Sequence, residues 1–229
     1  MNEFLYGSIG GMTGTILSHP FDTIRVNLQA KQQFPIISNP LNFCKFLYKG
    51  VSAPIFGITL EKTIIFGVYD KVLQKTNNPL VAGYMSGVAS VFFVTPIEKY
   101  KIHYQTTTNT PFPYNNLFRG FLPTMFREPP GYLIYFHTYN KLSNEFEKTL
   151  ISPFLYGGLA GCTSWLFIYP ADIIKTYQQK YDTLSYKEIH KQIMKLKYRY
   201  YTGFSMALLR AFPLHGGVFL GYEIAKSLF

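Results

Sequence analysis

The chain has 229 residues, is 48% hydrophobic and only 15% charged, and carries a formal net charge of +10 from 22 Lys and Arg against 12 Asp and Glu. An average soluble domain is roughly 25% charged, so this chain has a deficit of charged residues, and its hydrophobic content excludes a disordered chain. The positive excess fits either a nucleic-acid surface or the asymmetric loops of a membrane protein.

Three stretches contain no Asp, Glu, Lys or Arg and are long enough to cross a bilayer, which takes about 18 residues or more. They cover residues 4–21, 76–97 and 149–171. Each ends at a proline that is followed two positions later by an acidic residue. Because the positive residues flank apolar spans and no groove-reading motif is present, we expect a membrane protein and no nucleic-acid partner.

In chain order, the apolar runs and their breaks predict six long helices and one short amphipathic surface helix. The long helices are predicted at residues 4–30, 51–75, 79–106, 121–145, 153–180 and 204–228, and the surface helix within 186–197. The connections are too short for a soluble catalytic domain. We therefore expect an all-α membrane protein with one transmembrane domain built from three tandem repeats, over residues 1–75, 76–148 and 149–229.

The first helix of each repeat carries the motif Pro-x-acidic-x-x-basic, with a glutamine nine residues after the proline. Two glycines four residues apart precede each proline, a spacing that lets membrane helices approach closely. The acid and the base lie on one helix face, and because an isolated charge inside a bilayer costs a few kcal/mol, we expect both to face inward and pair. The motif residues are Asp22, Arg25 and Gln29; Glu98, Lys101 and Gln105; Asp172, Lys175 and Gln179.

The second helix of each repeat begins at an aromatic-x-Gly element, at residues 48–50, 118–120 and 201–203. A phenylalanine follows sixteen residues after each glycine and a tyrosine nineteen residues after it. Basic residues concentrate in the loops after the first, third and fifth long helices. By the positive-inside bias, both termini face away from the compartment that receives these loops.

These motifs, repeated three times in register, resemble the mitochondrial carrier family over essentially the whole chain. The resemblance implies a barrel of six tilted transmembrane helices with pseudo-threefold symmetry, which moves one small metabolite at a time along a central path by alternating access. It also implies that the protein functions as a monomer and is not an enzyme. The expected location is the mitochondrial inner membrane, with both termini towards the intermembrane space. The short termini and loops are similar to compact carriers encoded by giant DNA viruses.

The resemblance implies a matrix gate in which the motif charges pair between repeats. Arg25 is expected to pair with Glu98, Lys101 with Asp172, and Lys175 with Asp22, and the three glutamines brace these pairs. The alternative is that these residues are helix-end charges in the membrane interface. No metal site is expected, because the histidines show no ligand spacing.

The second helix of each repeat carries the outer-gate motif of the family, [Phe/Tyr]-[Asp/Glu]-x-x-[Lys/Arg]. This motif is incomplete in two of the three repeats of this chain. Only the third copy is complete, because the first lacks the base and the second lacks both charges. We expect Lys226 to pair with Asp70 in a weakened gate, and the tyrosine hydroxyl groups to compensate by hydrogen bonds. The residues concerned are Tyr69, Asp70, Tyr139, Tyr222, Glu223 and Lys226.

In the family, solute contacts fall seven residues past each glycine of the aromatic-x-Gly elements. Ionisable residues inside a membrane are functional candidates by default, and arginine suits a phosphate or a carboxylate. The alternative is a structural ion pair, either Arg127 with Glu128 or Arg210 with Glu61. The candidate solute-binding residues are Gly57, Ile58, Glu61, Arg127, Glu128 and Arg210.

Two classes of small charged solute fit these residues. The two arginines suit the phosphates of a nucleotide, and Tyr132, Tyr135 and Phe212 could supply an aromatic face for its nucleobase. In contrast, the Arg127-Glu128 pair resembles the pattern in carriers of amino acids or S-adenosylmethionine. The positive excess and the likeness to viral carriers favour exchange of nucleotides, of the ADP/ATP or deoxynucleotide type. A carrier-like membrane protein that transports nothing is the alternative of another class.

The aromatic-[Lys/Arg]-Gly elements resemble the cardiolipin contacts of the family, and basic pockets on the matrix side suit that lipid. We therefore expect bound cardiolipin and no other cofactor. Ordinary anchoring by interfacial Tyr and Lys explains any single copy equally well.

Overall fold

A computed structural model describes most of the chain. The described ranges are residues 2–29, 40–48, 51–106, 117–118, 120–147, 149–180, 186–195, 199–201 and 203–228. Within these ranges, every regular element is helical. The all-α fold class predicted from the sequence is therefore confirmed.

Eight α-helices occur in the described ranges, and six of them are long. The long helices are α1 (Asn2–Gln29), α3 (Ser52–Thr76), α4 (Pro79–Thr106), α5 (Phe121–Glu145), α6 (Ser152–Lys180) and α8 (Phe204–Leu228). Their limits lie within two residues of those predicted. The predicted surface helix is α7 (Tyr186–Met194), followed by a 3₁₀ turn at Arg199–Tyr201.

One short helix, α2 (Pro40–Leu47), is absent from the sequence-based prediction. It begins at a proline, whose missing N–H and fixed φ suit the first position of a helix. Its last residue is tied to α1, because the Thr23 hydroxyl group donates a hydrogen bond of 2.6 Å to the Leu47 carbonyl oxygen. This tertiary contact involves a residue 24 positions earlier and left no local signal in the sequence.

Two helical stretches in the described part of the chain combine the length and hydropathy needed to cross a bilayer. They are Pro79–Ile97 and Phe204–Leu228. The other long helices carry more polar or charged residues, and several of these are buried within the protein.

Glycine pairs allow the two long helices of each repeat to pack closely. A Cβ atom added at Gly11 would lie 2.8 Å from the Thr59 Cα atom in α3, and one added at Gly87 would lie 2.5 Å from the Pro129 Cα atom in α5. Gly157 is equally close to the His215 carbonyl oxygen in α8, at 2.7 Å. The predicted small-xxx-small contact therefore occurs between the first and second long helices in all three repeats.

Two of the aromatic-x-Gly elements end in a glycine with a positive φ, 90° at Gly120 and 81° at Gly203. Side chains larger than glycine rarely adopt this left-handed conformation. Each glycine is the turn residue immediately before a long helix, α5 or α8. The conformation accounts for the glycine of the motif independently of any lipid contact.

The described contacts divide the chain into two compact units. One contains Met1–Gly67, Thr138–Cys162 and Ser205–Phe229, and the other contains Val68–His137 and Thr163–Phe204. Each unit draws segments from all three sequence repeats.

The motif prolines lie inside continuous helices. Pro170 has no N–H to donate to the carbonyl group of Leu166, four residues earlier in α6. The Tyr201 hydroxyl group donates a hydrogen bond of 3.1 Å to that carbonyl oxygen, and its ring stacks on Tyr169. The tyrosine of an aromatic-x-Gly element thus donates the hydrogen bond that the motif proline cannot donate to this carbonyl oxygen.

Replacement of Tyr201 by phenylalanine is predicted to destabilise the protein by about 1 kcal/mol, because the Leu166 carbonyl oxygen loses its hydrogen bond. The same change in a Pro170→Ala background should cost much less, because the alanine N–H restores the helical bond. Thermal unfolding of the four proteins in detergent measures both effects. Equal losses in the two backgrounds would show that the contact does not compensate for the proline.

Candidate functional site

Arg127 of α5 lies between two carboxylates. Its Nη1 atom donates a hydrogen bond of 2.7 Å to Asp172 Oδ1 in α6, and its Nη2 atom contacts Glu128 Oε1. The side chains of Arg127 and Glu128 are 10% and 9% exposed, and that of Asp172 is 21% exposed. A charge this deeply buried is tolerated only when it is paired, so the three groups hold one another in place.

Arg210 of α8 forms the corresponding pair in the other compact unit, through its Nε atom to Asp22 Oδ1 of α1. Its side chain is 25% exposed and that of Asp22 is 22% exposed, so this pair is more accessible than the Arg127 cluster. Of the two structural ion pairs considered from the sequence, Arg127 with Glu128 is present. The other, Arg210 with Glu61, is wrong, because Arg210 pairs with Asp22 and Glu61 Oε1 lies 3.5 Å from Lys62 Nζ.

The two arginine pairs follow one rule of the repeat. In each, the residue seven positions past the glycine of an aromatic-x-Gly element contacts the aspartate of a Pro-x-Asp motif. Arg127 of the second repeat reaches Asp172 of the third, and Arg210 of the third repeat reaches Asp22 of the first. Sequence reasoning placed these arginines in the site but did not pair them with the motif aspartates.

The first repeat breaks the rule because glycine occupies the arginine position. A Cβ atom added at Gly57 would meet nothing within 4 Å. Packing therefore does not require a glycine at this position. A glycine inside a helix nevertheless lowers stability by about 1 kcal/mol relative to alanine. Its neighbour Ile58 lies against α1, with its carbonyl oxygen 3.3 Å from a Cβ atom added at Gly11.

The matrix gate is only partly visible in the described residues. Lys175 is buried, with 2% of its surface exposed, one helical turn beyond Asp172. The predicted partners Arg25, Glu98 and Lys101 and the bracing residues Gln29, Gln105 and Gln179 have side chains outside the described part of the structure. The gate pairs remain a prediction, to which the structure adds an arginine partner for Asp22 and for Asp172.

Tyrosine hydroxyl groups bind carboxylates in the region of the predicted outer gate. Tyr139 donates a hydrogen bond of 3.2 Å to Glu223 Oε1, and Tyr222 donates to Glu3 Oε2. Glu3, in the first turn of α1, was missed by sequence reasoning because no repeated motif marks it. Asp70 accepts a hydrogen bond of 2.6 Å from Gln74 Nε2, and Lys226 is exposed.

The three tyrosines of the predicted outer gate stack on the three phenylalanines that repeat sixteen residues past each motif glycine. The ring centroids are 3.8 Å apart for Tyr69 and Phe136, 3.4 Å for Tyr139 and Phe219, and 4.5 Å for Tyr222 and Phe66. These contacts run from the first repeat to the second, from the second to the third, and from the third to the first. The spacing found in the sequence therefore corresponds to a contact that is repeated three times.

Comparison with known proteins finds relatives that match the whole length of the chain. A family model described as mitochondrial carrier protein matches residues 146–229. The mitochondrial carnitine carrier of Saccharomyces cerevisiae is 30% identical, over 100% of this chain and 88% of that protein. Mitochondrial substrate carrier family protein S of Dictyostelium discoideum is 29% identical, over 100% of this chain and 97% of that protein.

A third relative, the mitochondrial basic amino acids transporter of Homo sapiens, is 29% identical, over 95% of this chain and 87% of that protein. The similarity to these proteins extends over all three repeats. It accompanies the triplicate proline motif, the repeated glycine contacts and the six long helices. The chain belongs to the mitochondrial carrier family.

Proposed function

We propose that this protein transports a small solute that carries both a cationic group and a carboxylate across the mitochondrial inner membrane. The observation that carries the proposal is the pairing of both candidate solute-binding arginines with aspartates. Arginines already neutralised in this way offer little net positive charge to a polyanion. The nucleotide preference drawn from the sequence is therefore replaced here by its alternative, a solute of the amino-acid type.

The formal charges around each arginine support this substrate class. Among the described side chains, Arg127 and Lys175 balance Glu128 and Asp172 in one compact unit, and Arg210 and Lys62 balance Glu61 and Asp22 in the other. A nucleotide with three or four negative charges needs a surplus of positive side chains. A balanced set of acids and bases suits a solute whose own charges are balanced or slightly positive.

The open position at Gly57 supplies a place for the cationic group. Arginine occupies the corresponding position in the other two repeats, so the solute's cationic group takes the space of the missing side chain. Glu61 lies one helical turn further along α3, on the same face as Gly57. Its side chain is 27% exposed, so its carboxylate, which contacts Lys62, is partly accessible to such a solute.

The relatives' names are consistent with this class. They refer to carnitine and to basic amino acids, and each of these solutes has a cationic group and a carboxylate. None of the relatives reported above is named for a nucleotide.

The paired aspartates suggest how solute binding is linked to gating. Asp172 is held by Arg127, and the family pattern gives it a second partner, Lys101, in the matrix gate. We propose that Asp172 exchanges these partners during transport, and that Asp22 makes the equivalent exchange. A solute carboxylate that binds Arg210, in the same compact unit as Gly57, then frees Asp22 for the gate, since the guanidinium group exchanges one carboxylate for another.

The chain reconstituted in liposomes is predicted to take up labelled lysine, arginine or carnitine in a saturable manner, and not ADP or dATP. Exchange of Arg127 for glutamine should abolish this uptake. The matched control is Lys191→Gln on the exposed face of α7, which should transport like the natural protein. Saturable nucleotide uptake without uptake of the other solutes would contradict the proposed substrate class, and no uptake of any solute would favour a protein that does not transport.

Gly57→Leu is predicted to block uptake, because the leucine side chain fills the space assigned to the cationic group. Gly57→Ala should retain most uptake. Neither change should lower the thermal stability in detergent, since an added Cβ meets no neighbour and alanine and leucine are better helix formers than glycine by about 1 kcal/mol or less. Unchanged transport by the leucine variant would show that the solute does not use this space.

A further inference from the structure

A small pocket that is lined by neither of the paired arginines lies among the C-terminal parts of α5 and α8 and the beginning of α6. Its volume is about 240 Å³. Leu220 and Ile224 of α8 are among its apolar lining residues, and Ser143 of α5 and Ser227 of α8 also line it. Glu223 contributes the charged group, and no Lys or Arg is among the described residues that line the pocket.

The Glu223 carboxylate is fixed within this pocket. Tyr139 donates the hydrogen bond of 3.2 Å to its Oε1 atom, and the Tyr139 ring is held by its stack on Phe219. Tyr139 is buried, at 7% exposed, so it cannot leave this position without breaking the stack. A carboxylate accepts about four hydrogen bonds, which leaves capacity for a donor that enters the pocket.

No cation within the described residues neutralises Glu223. Tyr139 is a neutral donor, and Lys226, the nearest base along α8, is exposed and does not line the pocket. A carboxylate oriented between an apolar wall and hydroxyl groups is complementary to a positively charged group with an aliphatic body. The hydroxyl oxygens favour a primary ammonium group, because each of its three N–H bonds needs an acceptor.

We propose that this pocket is a binding site for a small primary alkylammonium ion, separate from the solute position at Gly57. The ammonium group binds the Glu223 carboxylate and the serine hydroxyl oxygens, and the alkyl chain lies against Leu220 and Ile224. Such a ligand bridges α5 and α8 at the end of the helices where the tyrosine and carboxylate contacts of the predicted outer gate occur. Occupancy therefore holds these two helices together.

The test is equilibrium dialysis of the full chain, purified in detergent, against radiolabelled n-butylammonium. We expect saturable binding of one ion per chain, with no competition from n-butanol, which has the same alkyl group without the charge. Glu223→Gln should weaken the affinity about tenfold or more, the usual loss when a charged hydrogen-bond partner is removed. Ser143→Leu keeps the carboxylate but fills the pocket, and should weaken binding as well.

Two control variants separate this site from its surroundings. Glu145→Gln removes an exposed carboxylate near the end of α5, and should leave the affinity unchanged. Gly57→Leu blocks the proposed transport position, and should also leave it unchanged, so the two proposals can fail independently. Binding that survives both Glu223→Gln and Ser143→Leu, or that n-butanol displaces, would overturn the alkylammonium site.

Discussion

The pairing of charges inside the protein constrains the rest of this structure. Arg127 is buried and Arg210 is half-buried, an unpaired charge in such surroundings costs several kcal/mol, and each arginine contacts the aspartate two positions after a motif proline. Each pair links the second helix of one repeat to the first helix of another. The glycine contacts bring the helices close enough for packing, and the ion pairs fix which faces meet.

The same pairing determines the proposed chemistry. Because each arginine is paired with an aspartate, neither pair offers a surplus positive charge to a phosphate chain among the described residues, and the position where the pattern lacks an arginine is open space at Gly57. A solute with its own cationic group completes the pattern. Near the helix ends that carry the incomplete outer motif, tyrosines at its aromatic positions donate hydrogen bonds to carboxylates, whereas two of its three base positions hold Leu73 and Ser143.

The long helices could be predicted from sequence because apolar runs, proline motifs and aromatic-x-Gly elements mark their limits. Helix α2 was missed because it is short and held by a contact from Thr23. The repeat identified the candidate residues but not their partners. Spacing along the chain places Asp22 on one face of its helix, but it does not tell which other helix that face contacts. The link between Tyr201 and Leu166 was likewise hidden, although Pro170 marks the carbonyl group that needs a donor.

The Arg210–Asp22 pair offers the most direct test of this account, because each residue has one charged partner among the described residues. The measurement is a double-mutant cycle of Arg210→Gln and Asp22→Asn on thermal stability in detergent. Each single change is predicted to destabilise the protein by less than the roughly 3–5 kcal/mol lost when a fully buried pair is broken, because both side chains are about a quarter exposed, and the double variant should lose clearly less than the sum of the two. Additive losses would contradict the central role of the pair.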